Sequence, residues 1–222
     1  MNVKIKRVLK KIPFISDFRK RRTLKFITSH QYWENRYRFG GNSGAGSYNR
    51  LAEYKGSVIN DFIVENNVES VIELGCGDGN QLGNFKVKNY VGFDVSKTAI
   101  HQCRKIYKND ASKQFYLMES LGDIKADLVL SLDVIYHLVE DDVFVDYMEK
   151  LFYASNKYVI IYSSNTDKNF ETAPHVKHRK FTTWIEQHTS FHLMRHIPNK
   201  YPFDKEKKGE TTFADFYFFE ID

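Results

Sequence analysis

A β-branched run, Val68–Leu74, ends directly in three glycines at alternate positions, Gly75, Gly77 and Gly79. A strand that feeds into glycines so closely spaced lets the backbone turn sharply and approach a ligand lying across the end of a sheet. The spacing excludes two common phosphate sites. A dinucleotide fingerprint, G-x-G-x-x-G, needs a third glycine at position 80 or 82, where Asn80 and Leu82 stand. A P-loop needs Gly-Lys followed by Ser or Thr at the helix start, and that is missing.

Strands and helices alternate around this loop, the pattern of a doubly wound sheet. After Val68–Leu74 the sequence predicts a helix, then strands at Tyr90–Asp94, Gln114–Met118, Ala126–Leu132 and Tyr158–Tyr162. Between the last two, Phe144, Met148, Leu151 and Phe152 recur at helical spacing behind Glu140-Asp141-Asp142, acids that suit a helix N-terminus. Beyond Phe181 come a short helix, Thr182–His188, and two strands, His192–Ile197 and Phe213–Ile221, separated by the polar loop Asn199–Thr211. A closing antiparallel hairpin fits them.

With 222 residues, 42% of them hydrophobic, the chain can bury one substantial core, so a single domain is expected over 31–222. Two cysteines, Cys76 and Cys103, are too few for a disulfide framework and point to a reducing cytoplasm. No apolar run approaches the roughly 20 residues that span a bilayer. Residues 1–30 carry ten Lys/Arg against the single acid Asp17, a net +9 that leaves −4 for the rest of a chain of formal charge +5. Three readings of this basic segment stay open: a solvated helix, peripheral contact with the anionic inner face of a membrane, or RNA binding.

Glu73 before the glycines and Asp94 at the end of the second strand complete a pattern that resembles motif I of the class I S-adenosylmethionine-dependent methyltransferases, E/D-x-G-x-G-x-G. The resemblance implies an α/β fold, a Rossmann-like, doubly wound, mostly parallel seven-stranded sheet with a C-terminal antiparallel hairpin. It implies S-adenosylmethionine as cofactor and S-adenosylhomocysteine as product. Under it, Glu73, Gly75, Cys76, Gly77, Asp78 and Gly79 surround the cofactor, and Asp94, followed by Val95, accepts hydrogen bonds from the ribose hydroxyls. Met118 and Glu119, at the end of the third strand, flank adenine, although Met118 suits core packing equally well. Asp133, at the end of the fourth, holds the methionine amino group.

A hydroxyl acceptor must lose a proton, and histidine is the usual means near neutral pH. His137, beside Tyr136 just past the fourth strand, is the candidate base; packing or helix capping is the alternative. The loop after the fifth strand, Pro174-His175-Val176-Lys177-His178-Arg179-Lys180, borders the expected acceptor site, and its cations suggest an anionic acceptor held by His175, His178 and above all Arg179. Zinc binding by His175 and His178 lacks further ligands at the required spacing, and a magnesium site at Asp133 with Glu140–Asp142 is explained more simply by helix capping, so no metal is expected. Upstream, the aromatic and glycine-rich block 32–48 looks like the N-terminal region of small bacterial methyltransferases, some associated with surface-glycan pathways. That resemblance implies a segment folded over the cofactor, with Trp33, Tyr37 or Tyr48 facing the sulfonium or the acceptor.

A domain without net positive charge outside its tail argues against a nucleic-acid substrate on electrostatic grounds. The function expected is therefore methylation of an oxygen of a small polar acceptor, preferably a sugar or a phosphorylated glycan precursor. N- or O-methylation of another small metabolite, including a phosphate or phosphoramidate group, is the enzymatic rival, and a non-catalytic cofactor-binding scaffold is the rival of another class.

Overall fold

The computed structural model describes residues 26–169, 173–207 and 209–221. Most of the basic tail, residues 1–25, lies outside the described residues. Two helices, α1 (Ser29–Arg38) and α2 (Asn49–Glu65), precede the alternating part. There follow β1 (Ser70–Leu74), β2 (Asn89–Asp94), α3 (Lys97–Ile106), β3 (Lys113–Leu117), β4 (Ala126–Leu132), α4 (Asp141–Tyr153), β5 (Ser155–Ser163), α5 (Phe181–His188), β6 (Phe191–Ile197) and β7 (Asp215–Ile221).

The seven strands form one sheet in the order β3-β2-β1-β4-β5-β7-β6. The first five are parallel, and β7 inserts antiparallel between β5 and β6. The expected hairpin is therefore present, with its second strand innermost. Both faces are covered, which is why the inner strands are almost wholly apolar. Along β4 the side chains alternate: Leu128, Leu130 and Leu132 pack with α2 and α3, whereas Val129 packs with α4 and α5. Each fully buried Leu or Phe in these layers contributes about 1.5–3 kcal/mol.

Helix α2 buries one stripe, Leu51, Ala52, Lys55, Gly56, Ile59, Phe62 and Ile63, at the 3.6-residue period. Its Lys55 is fully buried, a charge at a position the period assigns to the core. The helix expected between the glycine loop and β2 is absent; a 3-10 turn, Gln81–Asn84, stands there instead. Fourteen residues separate Leu74 from Asn89, and after the glycine loop too few remain for a helix that covers the sheet. Helix α2 supplies the missing cover by lying against the turn: a Cβ on Gly56 would come within 2.6 Å of Asn84 Cβ, and Asn60 Nδ2 donates to the Asn84 carbonyl at 2.9 Å.

Smaller differences sit at element ends. Strand β1 starts at Ser70 because Asn67 takes a left-handed φ of 52° and the Val68 N–H donates back to the Ile63 carbonyl, closing α2. Met118 falls one residue past β3, in a 3-10 turn. No helix among the described residues is long and apolar enough to cross a membrane.

Candidate active site

A cavity of about 410 Å³ opens at the carboxyl ends of β1, β2 and β4, the position at which open α/β sheets bind ligands. Its floor is the glycine loop. Gly75, Gly77 and Gly79 all have positive φ, 87°, 56° and 77°, a region in which a Cβ is strained. The loop is also too crowded for side chains: a Cβ on Gly75 would sit 2.4 Å from Val134 Cγ2, and one on Gly77 would sit 2.3 Å from Ser43 Oγ.

Asp94 lines the cavity beside Val95. Its Oδ2 accepts from the Gly77 N–H at 2.9 Å and its Oδ1 from the Ser96 N–H at 2.8 Å. These bonds fix the carboxylate while each oxygen keeps a further lone pair. Burial pushes its pKa up to about 6 against the opposing pull of the two backbone donors. Glu73, wholly buried, accepts from the Tyr90 hydroxyl at 2.5 Å, and burial raises its pKa to about 7. Cys76 and Met118 also line the cavity. Cys76 stays a neutral thiol, because its contact with Cys103 and its burial hold its pKa well above the ordinary thiol value.

The roof is α1. Ser29, His30, Trp33 and Tyr37 recur at helical spacing and all line the cavity. The helix is pinned at two points. At its start, Ser29 donates through N–H and Oγ to the Glu140 carboxylate at 2.9 and 2.5 Å. Further along, the Glu34 carboxylate accepts from Ser96 Oγ at 2.7 Å and Thr98 Oγ1 at 2.6 Å, at the α3 N-terminus where an acid is favoured. Residues 28–30, expected with the tail, thus belong to the site. Glu140, expected to cap α4, makes no side-chain cap there and holds the roof instead.

The segment after α1 crosses the loop and is latched to Asp78. Asp78 Oδ2 accepts from the Ser43 N–H at 2.9 Å and the Tyr48 hydroxyl at 2.8 Å, and its own N–H donates to Ser43 Oγ at 3.0 Å. Two expectations are corrected by this latch. Asp78 and Tyr48 do not line the cavity; they spend their polar atoms on one another, and Gly79 lies with them on the outer side of the loop. Tyr37 does line it, with its hydroxyl 3.0 Å from Ser43 Oγ, and burial raises its pKa far above the usual phenol value. Glu119 is exposed and faces a separate surface hollow, since the 3-10 turn after β3 rotates it away from the cavity that Met118 reaches.

Asp133 lines the cavity in a left-handed conformation, φ 60°, unusual for a non-glycine residue. Its Oδ2 accepts from the buried Lys55 Nζ at 2.6 Å and its Oδ1 from the Tyr136 hydroxyl at 2.8 Å. The carboxylate expected to meet a methionine ammonium thus faces the cavity with its charge already balanced by a buried cation, each oxygen keeping a further lone pair. Tyr136 stands behind Asp133 and does not line the cavity.

His137 does line it. Its Nδ1 lies 2.9 Å from the His175 carbonyl oxygen; a carbonyl only accepts, so Nδ1 carries the proton and the neutral ring keeps its lone pair on Nε2. Burial lowers its pKa to about 4, so it is neutral at physiological pH. Its ring stacks on His175 at 5.5 Å and meets Trp33 edge-on at 4.9 Å, and His175 stacks in turn on Tyr32 at 4.3 Å.

The cationic loop does not face the cavity. Arg179 donates to the Leu138 and Val139 carbonyls at 2.5 and 2.9 Å and to Asp141 at 2.7 Å, with its guanidinium over the Phe144 ring. Lys177 also donates to Asp141, at 2.6 Å, and the two cations hold that carboxyl down at about 2. His178 pairs with Ser164 Oγ at 2.6 Å and rests against Phe213. His175, His178 and Arg179 are thus supports of the loop and of His137, and the expected anion clamp is corrected accordingly.

Sequence reasoning missed Lys55, Gln81, Ser43 and the Ser29–Glu140 pin. Lys55 had a readable signal, a cation in the buried stripe of an amphipathic helix; the others depend on contacts between distant segments.

Residues 72–166 match the model of a family described as a methyltransferase domain. No curated protein matches the chain in sequence. Among solved structures, the N-methyltransferase NodS from Bradyrhizobium japonicum with S-adenosyl-L-homocysteine superposes with a TM-score of 0.65 at 13% identity, covering 88% of this chain and 99% of that one. Magnesium protoporphyrin IX methyltransferase from Synechocystis with bound SAM gives 0.61 at 13% identity, over 88% and 98%. The methyltransferase domain of a bacterial CtHen1 gives 0.59 at 19% identity, over 78% and 99%. A strand-end glycine loop with three left-handed residues, a buried acid ending the next strand and the sheet order give this chain a Rossmann-like methyltransferase fold, and its residues 72–166 are similar to a methyltransferase domain.

Proposed function

We propose that the chain methylates an oxygen of a small polar acceptor, with a hydroxyl of a sugar or glycan precursor as the acceptor class. The observation that carries the reading is His137 at the cavity wall with Nδ1 committed to the His175 carbonyl. That bond leaves Nε2 as the one ring atom able to take a proton, and an acceptor hydroxyl must give one up. When bound, S-adenosylmethionine supplies an activated methyl group on a sulfonium. The chain's own tasks are then to position the acceptor and to receive its proton at Nε2.

The site has the size of a small-molecule pocket. About 410 Å³ under a helical roof pinned at two points lies in the range of small-molecule pockets. The loss of Arg179 and Lys177 to Asp141 favours a neutral hydroxyl over a phosphorylated group. Residues 1–25 fit a peripheral anchor at the inner membrane surface, with ten cations among them.

The test is turnover of a panel of sugar hydroxyl acceptors by wild type and His137→Ala. A loss of at least about 100-fold in kcat is expected from removal of a general base. Turnover of the variant within about threefold of wild type would reject the assignment of the base.

A further inference from the structure

Gln81 lines the cavity and is 4% exposed. Its Nε2 donates to the Ala52 carbonyl at 2.9 Å, which fixes the orientation of the group, since a carbonyl only accepts. The other atom, Oε1, is buried without a hydrogen-bond partner among the described residues. A buried carbonyl oxygen left unpaired is costly, and such an orphan beside a ligand cavity calls for a donor supplied by the ligand.

The position of Gln81 says which part of the donor molecule that is. The ribose acid Asp94 and Met118 mark one end of the cavity, at the edge of β2 and β3. Gln81 is held from the other side, by α2, the helix that also sends Lys55 to Asp133 at the end of β4. Ser47, in the crossing segment, lines the same region, and its carbonyl accepts from the neighbouring Asn80 Nδ2 at 2.6 Å. At that end the donor carries an α-ammonium and a carboxylate. Gln81 Oε1 can only accept, so it complements the ammonium and not the carboxylate. Asp133 at the same end already balances its charge against Lys55, whereas Gln81 Oε1 has no partner among the described residues.

We propose that Gln81 recognises the amino-acid part of the methyl donor by accepting a hydrogen bond from its α-ammonium at Oε1. The proposal rests on the cofactor assignment and not on the identity of the acceptor. It makes the side chain after the glycine loop a specificity determinant that separates the intact donor and its product from adenosine thioethers lacking the amino acid.

Calorimetric titration of wild type and Gln81→Met with S-adenosylhomocysteine and with 5′-methylthioadenosine tests it, because the second ligand keeps the nucleoside and drops the amino acid. The variant is expected to bind the product about tenfold to a hundredfold more weakly, as for loss of a hydrogen bond to a charged group, and to bind the thioether within about twofold of wild type. Equal weakening of both ligands would make Gln81 a purely structural residue and overturn the proposal, as would no weakening of either. Failure of wild type to bind either ligand would reject the cofactor assignment as well. If Gln81→Met does not fold, wild type is titrated with the deamino analogue of the product. Binding as tight as that of the product itself would then also overturn the proposal.

Discussion

Replacing Lys55 with methionine keeps most of the aliphatic stem and removes the ammonium, which isolates the electrostatic part of its contact with Asp133. The Lys55 side chain is fully buried and that of Asp133 is 12% exposed, with Nζ 2.6 Å from Oδ2 and 5.2 Å from the centre of the Tyr162 ring. Without the cation, the Asp133 carboxylate keeps one donor, the Tyr136 hydroxyl, in a backbone conformation that itself costs about 1–3 kcal/mol. Breaking a buried pair by removing one partner costs about 3–5 kcal/mol, because the other charge is left uncompensated. For a chain of this size that corresponds to a fall in Tm of about 6–20 °C. Removing the second charge as well removes most of the penalty, so Lys55→Met with Asp133→Asn is expected to recover at least about 2 kcal/mol relative to the single variant. Urea unfolding followed by circular dichroism measures all three proteins. A Lys55→Met variant within about 1 kcal/mol of wild type, or a double variant no more stable than the single one, would refute the account of Asp133 as a wall neutralised by Lys55.

Two further outcomes follow from the loop. Burial raises the pKa of Asp94 to about 6; if its ionised form accepts from the ribose hydroxyls, the role expected from the sequence, the affinity for S-adenosylhomocysteine should fall as pH drops below about 6, toward tenfold per unit, and level off above about 7. In the free protein the sign is opposite: a raised carboxyl pKa favours the protonated fold, so the contribution of Asp94 to stability is lost as pH rises through about 6. Calorimetry from pH 5 to 8 checks the binding arm, and a dissociation constant independent of pH would contradict it. Gly77→Ala puts a Cβ 2.3 Å from Ser43 Oγ and 2.8 Å from the Tyr37 hydroxyl at a φ of 56°, so it should displace the crossing segment and weaken product binding by more than about tenfold; unchanged binding would mean that the segment is not held against the loop.

The sheet was legible because its determinants are local. The inner strands are short, mostly apolar segments, such as Leu128, Val129 and Leu130 in β4 or Val159, Ile160 and Ile161 in β5, and the alternation of strands with helices admits few topologies. The helix expected after the glycine loop failed for a reason that is not local. Fourteen residues between β1 and β2 accommodate a 3-10 turn because α2, arriving from upstream, covers the sheet there. Nothing within 75–88 signals that another segment does this work.

The site divides along the same line. The placement of Gly75, Gly77 and Asp94 in the cavity was readable because it is set by the backbone positions they occupy, at the ends of β1 and β2. Residues chosen for their chemistry alone fared worse, since a charged or aromatic side chain near a site has many competing partners. Arg179 spends its guanidinium on two carbonyls and Asp141, Tyr48 and Asp78 spend theirs on each other, and Asp133 is claimed by Lys55. Gln81 shows the converse: it attracts no notice in the sequence, and it becomes informative only when its Nε2 is seen to be occupied and its Oε1 is not. In a buried cavity wall the unsatisfied atom, more than the reactive residue type, indicates where a ligand must contribute a partner.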